Sequence, residues 1–202
     1  WECKDCTTRF TQQVPAKETI GPYYASDNYI SHSDTSRGLI SKLYKIARNY
    51  TLAQKVKNVQ RVSGLATGQL LDVGCGTGAF AHAMTKAGWQ VTAMEPDAGA
   101  RTRAFQLYGL QPKEEAYLYQ FPAGTFDVIT LWHVLEHIHD LHEYLAQFTR
   151  LLKPQGKLMI AVPNYLCKDA QHYQQHWAAY DVPRHLYHFT PASMQFLAGT
   201  HH

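Results

Sequence analysis

Hydrophobic residues fall into short runs divided by glycine-bearing turns, and from residue 68 onward these runs alternate between strand and helix character. Gln69-Leu70-Leu71-Asp72-Val73 is an apolar run of strand length, and Gly74-Cys75-Gly76-Thr77-Gly78 turns it. The small residues from Ala79 to Ala87, stopped by Gly88, predict a helix. Trp89–Met94 predicts a second strand ending at Glu95-Pro96-Asp97, and a helix is expected from about Ala98 to Tyr108, stopped by Gly109. A weak strand near Pro112–Ala116 comes next, then a strong buried strand at Phe126–Trp132. His139–Leu152 predicts an amphipathic helix ended by Pro154-Gln155-Gly156, Lys157–Pro163 a fifth strand, and a last helix begins near Pro191. Strands alternating with helices predict parallel βαβ units and thus an α/β, doubly wound, mostly parallel sheet covered on both faces. Ligands of such sheets sit beyond the carboxyl ends of the strands, the edge that carries Asp72–Gly78, Glu95 and Trp132–His137.

Upstream the pattern changes. Residues 1–36 are polar and turn-rich and predict an extended arm rather than a core element. Its tyrosines Tyr23, Tyr24 and Tyr29 are too many for a plain linker. In 37–66, Leu39, Leu43, Ile46, Tyr50 and Leu52 recur at helical spacing among Lys and Arg, which predicts one or two amphipathic helices acting as a packing segment or lid. Residues 67–202 form the main domain. The chain starts at Trp1 rather than Met, so a beginning inside a longer product is expected. Cys3 and Cys6 have zinc-knuckle spacing without a second pair after them: half of a zinc site, a redox dithiol or an inert remnant.

Composition narrows the class. The chain has 202 residues, 45% of them hydrophobic, which is enough to bury a core and excludes wholesale disorder. No apolar run approaches the roughly 18–20 residues of a spanning helix, so no integral membrane segment is expected. A net charge of +3 gives no reason to invoke nucleic acid. Four cysteines do not make a disulfide framework, and a cytoplasmic protein is the working class.

The glycine turn lacks both the Gly-x-Gly-x-x-Gly spacing of dinucleotide folds and the Gly-Lys-Ser/Thr of a phosphate loop. Glu95 ends the second strand 23 residues after Asp72, where a carboxylate can accept both hydroxyls of a ribose. Together these features ask for a nucleoside ligand whose other end needs close backbone approach but no phosphate cradle. Leu71-Asp72-Val73-Gly74-Cys75-Gly76-Thr77-Gly78, with Glu95 and Phe126-Asp127-Val128-Ile129, resembles the class I S-adenosylmethionine-dependent methyltransferases, over about residues 68–165. The flanks, Cys3-x-x-Cys6, Tyr23–His32, Leu131–His137 and Pro183–Thr190, are similar to a bacterial methyltransferase subgroup with a zinc-ribbon-like start. Val134-Leu135-Glu136-His137 is also similar to the ubiquinone-type O-methyltransferases.

The resemblance implies a Rossmann-like methyltransferase fold whose final antiparallel strands are missing from this chain. It implies S-adenosyl-L-methionine as cofactor and S-adenosyl-L-homocysteine as product. Gly74, Cys75, Gly76 and Gly78 would pass the methionine part, Asp72 would face its ammonium, Glu95 and Pro96 would lie at the ribose, and Trp132 and His133 would lie near adenine and methyl donor. Glu114 and Glu115 are both candidates for the acid after the third strand.

An oxygen or carbon acceptor must lose a proton, and a histidine near neutrality suits that task. His133, followed by His185 and His188, are the candidate bases. Asp181 and Arg184, with Tyr24, Tyr29 and His32 of the arm, are the candidate substrate residues; a pair in which Asp181 and Arg184 only pin their loop is the alternative. His133, Glu136, His137 and His139 invite a metal reading, but capping and pocket-lining roles are preferred and no metal is assigned. The expected function is methyl transfer to a small-molecule acceptor. A non-catalytic cofactor-binding subunit is the alternative, and a nicotinamide oxidoreductase is disfavoured by the glycine spacing.

Overall fold

The computed structural model describes residues 1–24 and 39–200, so the expected contributions of Tyr29 and His32 lie outside the described residues. The described chain divides into two compact units. The sheet unit runs from α1 (Leu39–Ser63) to Trp132 and adds Arg150–Met159. The second unit joins the N-terminal segment to His133–Thr149 and to the chain from Ile160 onward.

In the sheet unit the strands are β2 (Gln69–Val73), β3 (Gln90–Met94), β4 (Phe126–Trp132) and β5 (Leu152–Ala161), in the order β3-β2-β4-β5. β2 runs parallel to both neighbours, with Val73 opposite Met94 on one side and Leu131 on the other. The chain therefore goes out to one side of β2 and returns to the other, which places the switch point at the β2 carboxyl end. Leu70, Leu71, Asp72 and Val73 are all buried, as a strand covered on both faces requires. Val59, Leu70, Phe80, Met84, Trp89 and Val128 form one core cluster, on which Leu52, Val56, Trp132 and Met159 pack.

α2 (Ala79–Lys86) starts directly after Gly78, which is left-handed at φ 82°. A Cβ on Gly78 would lie 2.7 Å from Leu110 Cδ1 and 3.3 Å from Ala104 Cβ. Gly78→Ala is expected to cost about 2 kcal/mol through backbone strain and overpacking, read as a lower denaturant midpoint at unchanged slope. α3 (Ala98–Tyr108) is capped by the Asp97 carboxylate, which accepts from Ala100 N–H at 2.7 Å, and is closed by left-handed Gly109.

Three details differ from expectation in this unit. α1 is one helix, within the one or two expected, but the stripe that packs on the core is Leu52, Val56 and Val59, whereas Leu43, Ile46 and Tyr50 are exposed. The stripe spaced by four and three residues meets the sheet; the upstream apolar positions do not. The weak third strand shrinks to an isolated bridge between Lys113 and Met94, followed by a 3-10 turn at Glu115–Gln120. β5 begins five residues before Lys157 and includes the bend at Gln155, φ 70°.

In the second unit the N-terminal segment does more than form an arm. β1 (Arg9–Phe10) pairs antiparallel with β6 (Tyr187–His188), Thr11 N–H donates to Leu186 O at 2.9 Å, and Tyr165 Oη donates to Thr7 O at 2.6 Å. Ile20 is buried. The expected helix at His139 begins instead at Leu141, as α4 (Leu141–Leu151), after a 3-10 turn at Leu135–His137. α5 (Lys168–Tyr173) follows, and α6 (Pro191–Gly199) starts where expected, with Thr190 and Ser193 capping each other reciprocally. No described helix is long and apolar enough to cross a membrane.

Candidate cofactor and histidine sites

At the β2 switch point Gly74, Gly76 and Gly78 all have positive φ, at 66°, 55° and 82°. Side chains are strained in that region, so the turn is built from the one residue that enters it freely. Glu95, buried at the end of β3, ties the turn down. Gly76 N–H donates to Glu95 Oε2 at 2.8 Å, and Asp97 N–H donates to Glu95 Oε1 at 3.0 Å. Burial raises the Glu95 pKa, and these two backbone donors pull it back. Cys75 N–H donates to Met94 O at 2.9 Å, and burial pushes the Cys75 thiol upward, so it is no nucleophile.

Asp72 is fully enclosed. Its Oδ1 accepts from Thr130 Oγ1 at 2.9 Å, while Oδ2 is buried without a hydrogen-bond partner. Burial pushes the carboxyl up to about 7, opposed by the Thr130 hydroxyl and the Lys55 charge. Burial in turn lowers the Lys55 pKa, with Asp72 opposing, and Lys55 Nζ stands 4.3 Å from the Trp132 ring centroid. Trp132 meets Phe80 edge-on, and its Nε1 is buried without a partner. Arg101 closes the far side: its guanidinium donates to Glu95 O at 2.9 Å and Pro96 O at 2.6 Å, and pairs with Glu114 at 2.8 Å. That pair joins Glu114, one of the two acids after the third strand, to this edge. Asp127 has a framework task, accepting from Gln69 N–H and from Lys153, both at 2.8 Å.

The second unit holds most of the histidines. His133, at the β4 carboxyl end with φ 59°, keeps its side chain 63% exposed, and its Nδ1 lies 3.5 Å from Glu136 Oε1. His188 is buried, contacts Thr11 Oγ1 at 3.2 Å, and is held down at about 4 by that burial with help from His185 and Arg9. Such an imidazole is a poor base near neutrality, which argues against the expected role. His185 is buried, with Nδ1 2.8 Å from Ala179 O. Asp181 accepts from Arg184 Nε at 2.9 Å, which ties the two charged residues of this loop to each other. Tyr24 Oη lies 3.1 Å from His137 Nδ1, and His139 turns away to Pro15 O at 3.1 Å. Cys3 and Cys6 share a tight turn closed by Thr7 N–H to Cys3 O at 3.0 Å, and no third ligand joins them among the described residues.

A family model described as a methyltransferase domain matches residues 44–199. The chain belongs to that family. Curated relatives of this methyltransferase domain include the ubiquinone biosynthesis O-methyltransferase of Xanthomonas oryzae pv. oryzae (strain PXO99A), 35% identical over 108 residues, 50% of this chain and 45% of the relative. Its counterpart in Caulobacter vibrioides (strain ATCC 19089 / CIP 103742 / CB 15) is 35% identical over 106 residues, 49% of this chain and 42% of the relative. The match thus spans less than half the length of these relatives. Among solved structures, magnesium protoporphyrin IX methyltransferase from Synechocystis PCC 6803 with bound SAH aligns with a TM-score of 0.66 and 18% identity, over 92% of this chain and 88% of that one. A SAM dependent methyltransferase from Archaeoglobus fulgidus aligns at 0.60 with 19% identity, over 76% and 67%. These structures share the fold of the methyltransferase domain.

Sequence reasoning missed Lys55, Arg101 and Thr130. Lys55 had a signal, since it lies on the Leu52–Val56–Val59 stripe where a lysine interrupts a buried face. Thr130 had none, because a threonine in a buried strand reads as an ordinary β-former.

Proposed function

We propose that the chain is an S-adenosylmethionine-dependent methyltransferase that moves a methyl group to oxygen or carbon of a small-molecule acceptor. The observation that carries this is the pairing of the left-handed glycine turn with the orphaned Asp72 Oδ2. A buried carboxylate oxygen without a partner is costly unless a cation meets it. The ammonium of the cofactor's methionine part has that charge, and a glycine turn admits it close to backbone. Glu95 retains lone pairs beyond the two backbone donors and is the group for the ribose hydroxyls, beside Pro96. Trp132 supplies an apolar wall and one unused N–H donor. Asp72, Glu95, the glycine turn and Trp132 therefore fit the cofactor.

When bound, S-adenosylmethionine supplies a methyl group activated by a sulfonium. What the protein adds is orientation, exclusion of water, and removal of the acceptor's proton. Of the three candidate bases, His133 is exposed and follows β4 directly, so it is assigned the proton. The similarity to ubiquinone biosynthesis O-methyltransferases favours an oxygen acceptor. Incubation with methyl-labelled cofactor and a panel of phenols, quinols and carboxylates tests the proposal. Label is expected to transfer to at least one acceptor, with His133→Ala lowering kcat about 100-fold at unchanged product affinity. Tight cofactor binding with no transfer across the panel would favour the non-catalytic alternative.

A further inference from the structure

The 3-10 turn Leu135–His137 and the loop before β6 bring together three side chains separated by up to 49 residues in sequence: Glu136, His137 and His185. One ligand-type atom from each lies within 4.8 Å of those of the other two. Glu136 is wholly buried, and neither carboxylate oxygen has a hydrogen-bond partner. The two imidazole rings meet edge to face at 4.6 Å between centroids.

Each ring is oriented from behind by a backbone carbonyl, His137 Nδ1 to Arg184 O at 3.0 Å and His185 Nδ1 to Ala179 O at 2.8 Å. A carbonyl oxygen only accepts, so each Nδ1 carries a proton, and in the Nδ1–H tautomer Nε2 is the nitrogen that offers a lone pair. That is how ligating histidines are held: the outer nitrogen donates to a carbonyl, which fixes the tautomer and frees the inner one. Two imidazoles and a carboxylate with no hydrogen-bond donor of its own are a typical set for a divalent transition metal. We propose that Glu136, His137 and His185 bind one divalent transition-metal ion. Asp181 Oδ2, 3.7 Å from His185 Nε2, and the exposed His133, 3.5 Å from Glu136, stand beside the set as further donors. The proposal rests on this unit alone and holds whether or not the chain transfers methyl groups.

The test uses the metal-stripped full chain carrying Cys3→Ser and Cys6→Ser, so that the N-terminal thiols take no part. Co2+ is titrated optically, and Zn2+ by competition with a chromophoric chelator. The expected result is one equivalent bound, with a Co2+ spectrum of nitrogen and oxygen ligands. Glu136→Gln and His185→Gln should each weaken binding by at least about tenfold, while His139→Gln leaves it unchanged. Fold is checked by melting without metal, where Glu136→Gln should melt no lower than its parent because it removes a buried carboxylate that has no donor. No saturable binding to the parent, or binding undiminished in both Glu136→Gln and His185→Gln, overturns the proposal. A metal-free Glu136→Gln that melts well below its parent also overturns it, because Glu136 would then be held by a protonated imidazole.

Discussion

Glu95→Ala is expected to weaken S-adenosylhomocysteine binding roughly 1,000-fold, the largest single effect on this site. Two losses combine. The carboxylate that would accept the ribose hydroxyls is removed, and the two N–H groups it now holds, of Gly76 and Asp97, lose their acceptor. The glycine turn is then free to leave the geometry that admits the ligand. Glu95→Gln separates the contributions, because an amide oxygen still accepts one backbone N–H but cannot hold two hydroxyls as a carboxylate does. Its affinity should fall between the parent and Glu95→Ala. Calorimetric titration of the three proteins checks this, and equal affinities would remove Glu95 from the site.

Asp72→Asn is expected to raise the stability of the ligand-free chain while abolishing tight product binding. Burial holds the Asp72 carboxyl at about 7 against an ordinary 3.8. The folded state therefore binds this proton more tightly than the unfolded chain. Stability attributable to Asp72 falls as pH rises through that interval, and the whole penalty, up to about 4 kcal/mol, is present above pH 7. The neutral amide escapes it, so Asp72→Asn should gain about 2–4 kcal/mol at pH 8 and close to nothing near pH 4. A neutral side chain also gives up the charge that meets the ammonium, which should cost about 100-fold in S-adenosylhomocysteine affinity. Denaturant unfolding at pH 5 and pH 8, alongside titration at pH 8, reads both effects. A variant less stable than the parent at both pH values would contradict a burial penalty at Asp72.

The sheet was legible because its signals are local. Gln69–Val73 and Phe126–Trp132 are strands at the residues their apolar runs mark, and the glycine turn between β2 and α2 sits where three closely spaced glycines demand it. Asp72 and Glu95 were legible for the same reason, as acids standing at strand ends. Contacts across long stretches of sequence were not. Nothing local marks Arg9–Phe10 as a partner of Tyr187–His188, since two-residue strands have no period to detect. α1 misled because its exposed upstream residues have the spacing of a buried face, and only packing decides which stripe meets the sheet. The histidines divide the same way. His133, Glu136 and His137 stand close in sequence and drew attention, but His185 joins Glu136 and His137 only through the fold, while His139 leaves the group for Pro15. His188 was a candidate base from its neighbours in sequence, and only the fold shows its ring buried against Thr11 and Tyr180.

The measurement that bears most directly on the cofactor site is calorimetric titration of the full chain with S-adenosylhomocysteine, repeated in the presence of NADH and on Gly76→Arg. Gly76 has φ 55° and donates to Glu95, so an arginine there both strains the turn and fills the approach to it. The expected result is one equivalent bound at micromolar affinity, untouched by NADH and lost in Gly76→Arg. Absence of binding to the parent chain, or displacement by NADH, would contradict a S-adenosylmethionine site at the β2 switch point.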